Sequence, residues 1–118
     1  MENFSNNLCT KIINILNKNK GINITKIDLK DKSSIADFMV ICSGTSSRHI
    51  IALSDFLNEN LKKLNLKTLS IEGKKGGDWI LVDAGDVIIH LFRNEVRDYY
   101  SLEKMWDPKI ISNIEINS

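Results

Sequence analysis

One proline, Pro108, and two cysteines, Cys9 and Cys42, are all this 118-residue chain holds of the residue types that most constrain a backbone. With no proline before position 108, helices and strands must end at glycines, polar turns or caps. The two cysteines form at most one pair and lack metal-like spacing, which rules out a disulfide framework or a zinc module. No apolar run approaches the roughly 18 residues that a membrane span needs. The opening MENFSNNLCTKIINIL carries an early acid and several asparagines, unlike a secretory signal, so a reduced, cytoplasmic setting is expected. Charge of one sign is also scarce. A net +1 argues against a protein that coats nucleic acid, and no direct nucleic-acid reading is expected.

What remains is an ordinary globular composition of one-domain length. Phe4, Leu8, Ile12, Ile15 and Leu16 recur at three- and four-residue spacing, predicting a helix over 3–19 stopped by Gly21. A short strand over 22–29 and a polar turn at 31–34 follow, and then the apolar run IADFMVIC (35–42) reads as a central strand. Asp37 within that run is either at a wet end or paired. Ser43 to Ser47 (SGTSS) breaks the strand and caps a second helix running to about Leu64, with Ile50, Leu53, Leu57, Leu61 and Leu64 on one face. A third strand is expected over 66–71, leading into the glycine loop 73–77. Trp79 to Asp83 and Val87 to Phe92, joined by Ala84-Gly85, predict a β-hairpin whose second strand is apolar on both sides and therefore central. Asn94 caps a short helix through Tyr99, and Ser101 caps a further turn carrying Leu102, Met105 and Trp106. The order α-β-β-α-β-β-β-α predicts an α/β single domain, a mixed sheet of about five strands flanked by helices. Residues 1–107 form the domain and 108–118 a mobile C-terminal tail.

Charge is distributed unevenly along this order. Residues 1–71 carry ten Lys/Arg against six Asp/Glu, whereas residues 72–107 carry five against eight. The acidic part also holds both tryptophans and both tyrosines. Aromatics beside carboxylates suit an interface for a basic protein partner. On composition alone, Trp79 and Trp106 equally well complete the core.

The chemistry-bearing residues resolve mostly into ordinary roles. The strand–SGTSS–helix passage, with Arg48 beside it, could cradle an anion at a helix start, but it lacks a P-loop lysine and a full GxGxxG, and a helix cap explains it. A glycine-serine loop before a helix also occurs in nucleotidyltransferases, whose chemistry needs converging carboxylates for magnesium. The strand expected over 66–71 has none, and Asp83 and Asp86 flank a turn. A nucleotide-binding or nucleotidyltransferase-like enzyme using Gly44 to Ser47 is therefore the alternative. Cys42, Ser43, His49 and His90 have no carboxylate placed by spacing to form a nucleophile–base system. No catalytic residue, metal or cofactor is expected.

Three segments, IADFMVICSGTSSRHIIALSD, IEGKKGGDWILVDAGDVIIHLF and EVRDYYSLEKMW, resemble in order the ribosomal silencing factor family, also called Iojap or RsfS. The resemblance runs from the first helix to Trp106. It implies a nucleotidyltransferase-like α/β fold without the catalytic carboxylates, and a factor that is not an enzyme. Such a factor docks on the large ribosomal subunit through the interface protein numbered fourteen, blocks joining of the small subunit and represses translation. Carried over by motif, Trp79 of GDW and Tyr100 of RDYY become docking residues, with Leu81, Asp83, His90, Arg97 and Glu103 beside them. The resemblance raises Trp79 from core completer to anchor. Self-association of the free protein through the same face is a further expectation.

Overall fold

Two helices of near-identical construction build one side of the protein. The computed structural model describes residues 4–66 and 68–100. Helix α1 (Phe4–Lys18) buries Leu8, Cys9, Ile12, Ile15 and Leu16, and α2 (Ser47–Lys63) buries Ile50, Leu53, Leu57 and Leu61. Each apolar set repeats at the helical period, so each helix has one stripe to bury. Both also end alike. In α1, Lys20 turns left-handed (φ 66°) while Gly21 N–H donates to the Leu16 carbonyl and Lys20 N–H to that of Asn17. In α2, Asn65 does the same (φ 61°), with Leu66 bonding to Leu61 and Asn65 to Lys62. These paired bonds close the last turn and satisfy carbonyls that would otherwise be open. The expected stop at Gly21 thus falls one residue earlier, on Lys20. Gly21 is needed for closeness, because a Cβ there would lie 2.6 Å from Cys42 Sγ and 3.0 Å from the Leu16 carbonyl oxygen.

The helices pack on a five-stranded sheet of order β1-β2-β5-β4-β3. The strands are β1 (Ile22–Asp28), β2 (Phe38–Gly44), β3 (Ser70–Glu72), β4 (Trp79–Asp83) and β5 (Val87–Arg93), and α3 (Asn94–Tyr100) follows. Strands β2 and β5 pair in parallel and all other neighbours are antiparallel, which makes the sheet mixed. All seven β2 residues are buried, as its continuous apolar run predicts for a central strand. Alternation divides the sheet. Phe38, Val40, Cys42, Ile80, Val82, Ile89 and Leu91 meet α1 and α2 in the main core. On the opposite face, Met39, Ile41 and Phe92 form a smaller cluster with Leu29 and Ala36, against which Val96 and Trp79 pack. Among the described residues no helix is long and apolar enough to cross a membrane.

Two strand positions depart from expectation. Strand β2 begins at Phe38, since the Asp37 and Phe38 amides both donate to the Asp86 carbonyl, leaving Ile35 68% exposed. Asp37 therefore stands at the strand's entry. Strand β3 starts at Ser70, because Leu66 N–H is already used in closing α2. The further turn at 101–106 and the tail lie outside the described residues.

The Gly21 contact yields a direct test. Gly21→Ala forces Cys42 or the α1 terminus to shift, and overpacking of this kind destabilises by about 1–3 kcal/mol. Urea denaturation is expected to show a lower midpoint with an unchanged slope; a midpoint equal to wild type would mean that the space exists.

Candidate functional site

The open half of the second sheet face is the candidate site. Among the described residues, α3 packs over β5 and β2, and Leu29, Ala36 and Val96 join the second-face cluster, while Leu81 and Asp83 of β4 stay half-buried. Strand β4 alternates Ile80 and Val82 inward, both fully buried, with Trp79, Leu81 and Asp83 half-buried on the other side. Register sets their neighbours: Trp79 opposes Phe92, Leu81 opposes both His90 and Glu72, and Asp83 opposes Ile88 and Ser70. Cross-strand partners share a face, so these residues form one surface.

Trp79 is fixed within it. Its Nε1–H donates to His90 Nδ1 at 2.9 Å, and its ring lies 4.9 Å from that of Phe92. His90 and Phe92 are stacked, with centroids 6.2 Å apart. Accepting from Trp79 requires Nδ1 to be unprotonated, so the imidazole carries its proton on Nε2. Burial pushes the His90 pKa down from 6.5 to about 4, which keeps it neutral and preserves the bond. Beside Trp79, a depression of about 220 Å³ is lined by Glu72, Gly73, Trp79 and Leu81. Gly73 has φ +93° and passes against the Trp79 carbonyl, where a Cβ would collide. Asp83 is partly used by the hairpin turn, its Oδ1 accepting from Gly85 N–H at 2.8 Å. At the other end of β4, Asp78 pairs with Arg93 at 2.7 Å, and Arg93 reaches Glu95 at 3.5 Å. Both carboxylates are more than half exposed, so these pairs order the rim and add little stability.

Trp79, Leu81, Asp83 and His90 are thus brought together, with His90 behind Trp79 and only 7% exposed. Arg97, expected at the docking surface, is instead buried beneath α3. Its guanidinium donates to the Asn23 carbonyl, to Ser43 Oγ at 2.9 Å and to Thr25 Oγ1 at 2.8 Å. The physical reason is that a polar hydroxyl inside buried β2 needs a partner, and Arg97 ties α3 to β1 and β2 in providing it. Tyr100 is the last residue of α3, and Glu103 lies outside the described residues. Glu72 and Gly73 were not anticipated at the site. The glycine pair around the loop was the available signal, but the short β3 register that aligns Glu72 with Leu81 was not readable.

The Gly44–Ser47 loop is occupied by its own chain. Ser46 Oγ accepts from His49 N–H at 3.1 Å as the α2 cap, and Thr45 N–H donates to His49 Nδ1 at 3.0 Å. His49 Nε2 in turn lies 3.0 Å from the Asn19 carbonyl, joining the end of α1 to the start of α2. Gly77 folds so closely over the helix start that a Cβ there would lie 2.8 Å from Ser47 Cβ. Thr45 and Ser46 are exposed, but their polar groups are already engaged with His49 in capping α2. Among the described residues, no three His, Cys, Asp or Glu side chains stand close enough to share a metal ion. Burial raises the Cys42 thiol to about 11, so it is a poor nucleophile.

Fold and site together define an α/β domain that presents an aromatic-centred surface on one face and closes the other with helices. Comparison with known proteins identifies its kind. The family model described as ribosomal silencing factor during starvation matches residues 2–118. A ribosomal silencing factor from Zymomonas mobilis is 50% identical over 91 residues, 77% of this chain and 68% of that protein. One from Haemophilus influenzae is 46% identical over 87 residues, 74% of this chain and 85% of its own length. A mouse relative, named mitochondrial assembly of ribosomal large subunit protein 1, is 36% identical over 98 residues, 80% of this chain and 43% of that protein. The crystal structure of a Chromobacterium violaceum protein superposes with a TM-score of 0.84 at 34% identity, covering 90% of this chain and 87% of that one. The chain belongs to the ribosomal silencing factor family. Membership carries a regulatory role in ribosome silencing and association with the ribosome.

Two tests address the internal contacts. Between pH 6.5 and 4 the unfolded His90 takes up a proton that the folded state refuses, so stability is full above 6.5 and falls as pH drops through that window. The loss amounts to about 3 kcal/mol by pH 4. His90→Gln is expected to flatten this dependence relative to wild type in urea titrations at successive pH values; parallel curves for the two would mean that His90 titrates normally. For Arg97, replacement by Met leaves the buried Ser43 hydroxyl without its donor, at a cost of about 1–3 kcal/mol. Hydrogen exchange at α3 amides is expected to accelerate selectively in Arg97→Met, and unchanged protection there would show that α3 is held by other contacts.

Proposed function

We propose that the chain docks on the large ribosomal subunit through the open β4 face, at the interface protein numbered fourteen, and blocks joining of the small subunit by occupancy. The observation that carries this reading is Trp79, a large aromatic held rigidly at the centre of a half-open face beside a depression. Family membership supports a ribosomal target, and the mouse relative's name supports the large subunit. The acidic excess of residues 72–107 complements a basic protein. Leu81 and Asp83 extend the contact surface along β4, while His90 and Arg97 act from behind it. Tyr100 and Glu103, carried over from the family motif, add to the contact in this reading. No bond is made or broken in this mechanism, so the factor acts without catalysis, in the cytoplasm. If the free protein self-associates through the same face, docking and self-association compete.

Co-sedimentation with purified large and small subunits tests the proposal. Wild type is expected to pellet with large subunits alone, less so as salt is raised. Trp79→Ala is expected to weaken binding by about 2 kcal/mol or more, roughly thirtyfold. Because that change also removes the contact with Phe92, Leu81→Glu serves as a second variant at a half-buried position outside the core. Equal pelleting with both subunits, or undiminished binding by both folded variants, would sink the proposal.

A further inference from the structure

We propose that the groove between α1 and α2 is a second, separate binding surface that takes the phosphate backbone of RNA. It lies on the helical side of the sheet, across from Trp79, so it stands or fails independently of the docking face. The groove has a volume of about 610 Å³ and is rimmed by Lys11, Lys18 and Lys63. All three lysines are exposed, and none has a carboxylate partner among the described residues, whose ion pairs lie at Lys74–Asp55 and around Arg93. Among the described residues, no acidic one lines the groove.

Lysines in the last turn of a helix ordinarily answer the negative end of its dipole. That role fits Lys18 and Lys63 but not Lys11, two turns earlier in α1. The closing bonds from Lys20, Gly21, Asn65 and Leu66 have moreover already satisfied the terminal carbonyls nearest these lysines. Three exposed lysines thus line one cavity with no ion-pair partner among the described residues.

The lining selects among anions. Asn14 and Asn17 present exposed amides on the same stretch of α1, suited to phosphate and sugar oxygens. Lys11 and Lys18 are seven residues apart, roughly 10 Å along the helix, which spans about three phosphates of one strand. No aromatic side chain lines the groove, so bases have nothing to stack on, and contact falls on the backbone without sequence preference. Lysine binds phosphate as a point charge, and the two-turn spacing of Lys11 and Lys18 matches the repeating charge of a strand's backbone. Phosphate is therefore favoured over an acidic peptide. Ile15 and the half-exposed Leu64 supply apolar surface along which lysine stems can lie with their charged ends in water. The excess of cations in residues 1–71 agrees, although the net charge of +1 confines the effect to this patch.

The test is fluorescence anisotropy of a labelled 20-base-pair RNA duplex titrated with the full chain. Wild type is expected to bind with a dissociation constant on the order of 10–100 µM at low salt, and with a log–log salt slope of about −2 to −3 for three phosphates. The triple variant Lys11→Glu, Lys18→Glu, Lys63→Glu is expected to lose about tenfold or more and to flatten that slope, with unchanged circular dichroism. A control of equal charge change, Lys32→Glu, Arg48→Glu, Lys75→Glu, is expected to lose far less, and Trp79→Ala to lose nothing. Absent or salt-independent wild-type binding, equal loss in the control, or more effective displacement of RNA by polyglutamate than by unlabelled RNA would each overturn the proposal.

Discussion

The parallel pairing of β2 with β5 is the constraint on which the rest of the protein depends. These two strands are buried on both sides over almost their whole length, and a parallel ladder tolerates no solvent on either face. One face is closed by α1 and α2, the other by α3 and the 29–36 segment. The antiparallel strands added outside this pair are less demanding. At β4 an alternating pattern suffices, so one set of side chains completes the core and the other stays half in water. The surface proposed for docking is thus the place where, among the described residues, the sheet needs least cover.

Polar groups inside such a fold must be bonded, and here they shape the surface as well. Ser43 sits within the buried β2 strand; Arg97 satisfies it and by the same bonds fastens α3 over the sheet. His90 occupies a position where a charge would be costly, is held neutral by burial, and uses its free nitrogen to orient Trp79. Neither residue needs to touch a partner to matter. Each sets the position of part of the surface proposed for docking.

The elements were readable from the sequence where pattern is local. Strand β4 is bounded by Trp79 and Asp83 as alternation and the Ala84-Gly85 turn predict, and α2 begins at the serine cap. Errors arose where a distant partner overrides the local pattern. The apolar run from Ile35 looks continuous, yet the Asp86 carbonyl takes the amides of Asp37 and Phe38, and pairing starts only there. Leu66 looks like the start of a strand but belongs to the close of α2. At the site, Trp79 and Leu81 could be found by alternation. The inward turn of Arg97 could not, because its acceptors Ser43 and Asn23 lie 54 and 74 residues away in sequence. Pairing of Trp79 with His90 required the hairpin register, which no single-strand pattern contains.

Rigidity is what makes the open face suitable for docking. A flexible side chain loses rotamer freedom when it is immobilised at an interface, and that loss opposes binding by about 0.5–1.5 kcal/mol per residue. Trp79 has already lost most of this freedom in the free protein, through its bond to His90 and its contact with Phe92. Gly73, at φ +93°, lets the loop pass close against the Trp79 carbonyl. Part of the ordering penalty is therefore met during folding and charged to a core that can sustain it. The same bond makes the anchor sensitive to whatever disturbs His90, so integrity of the second sheet face and competence of the docking surface cannot be separated.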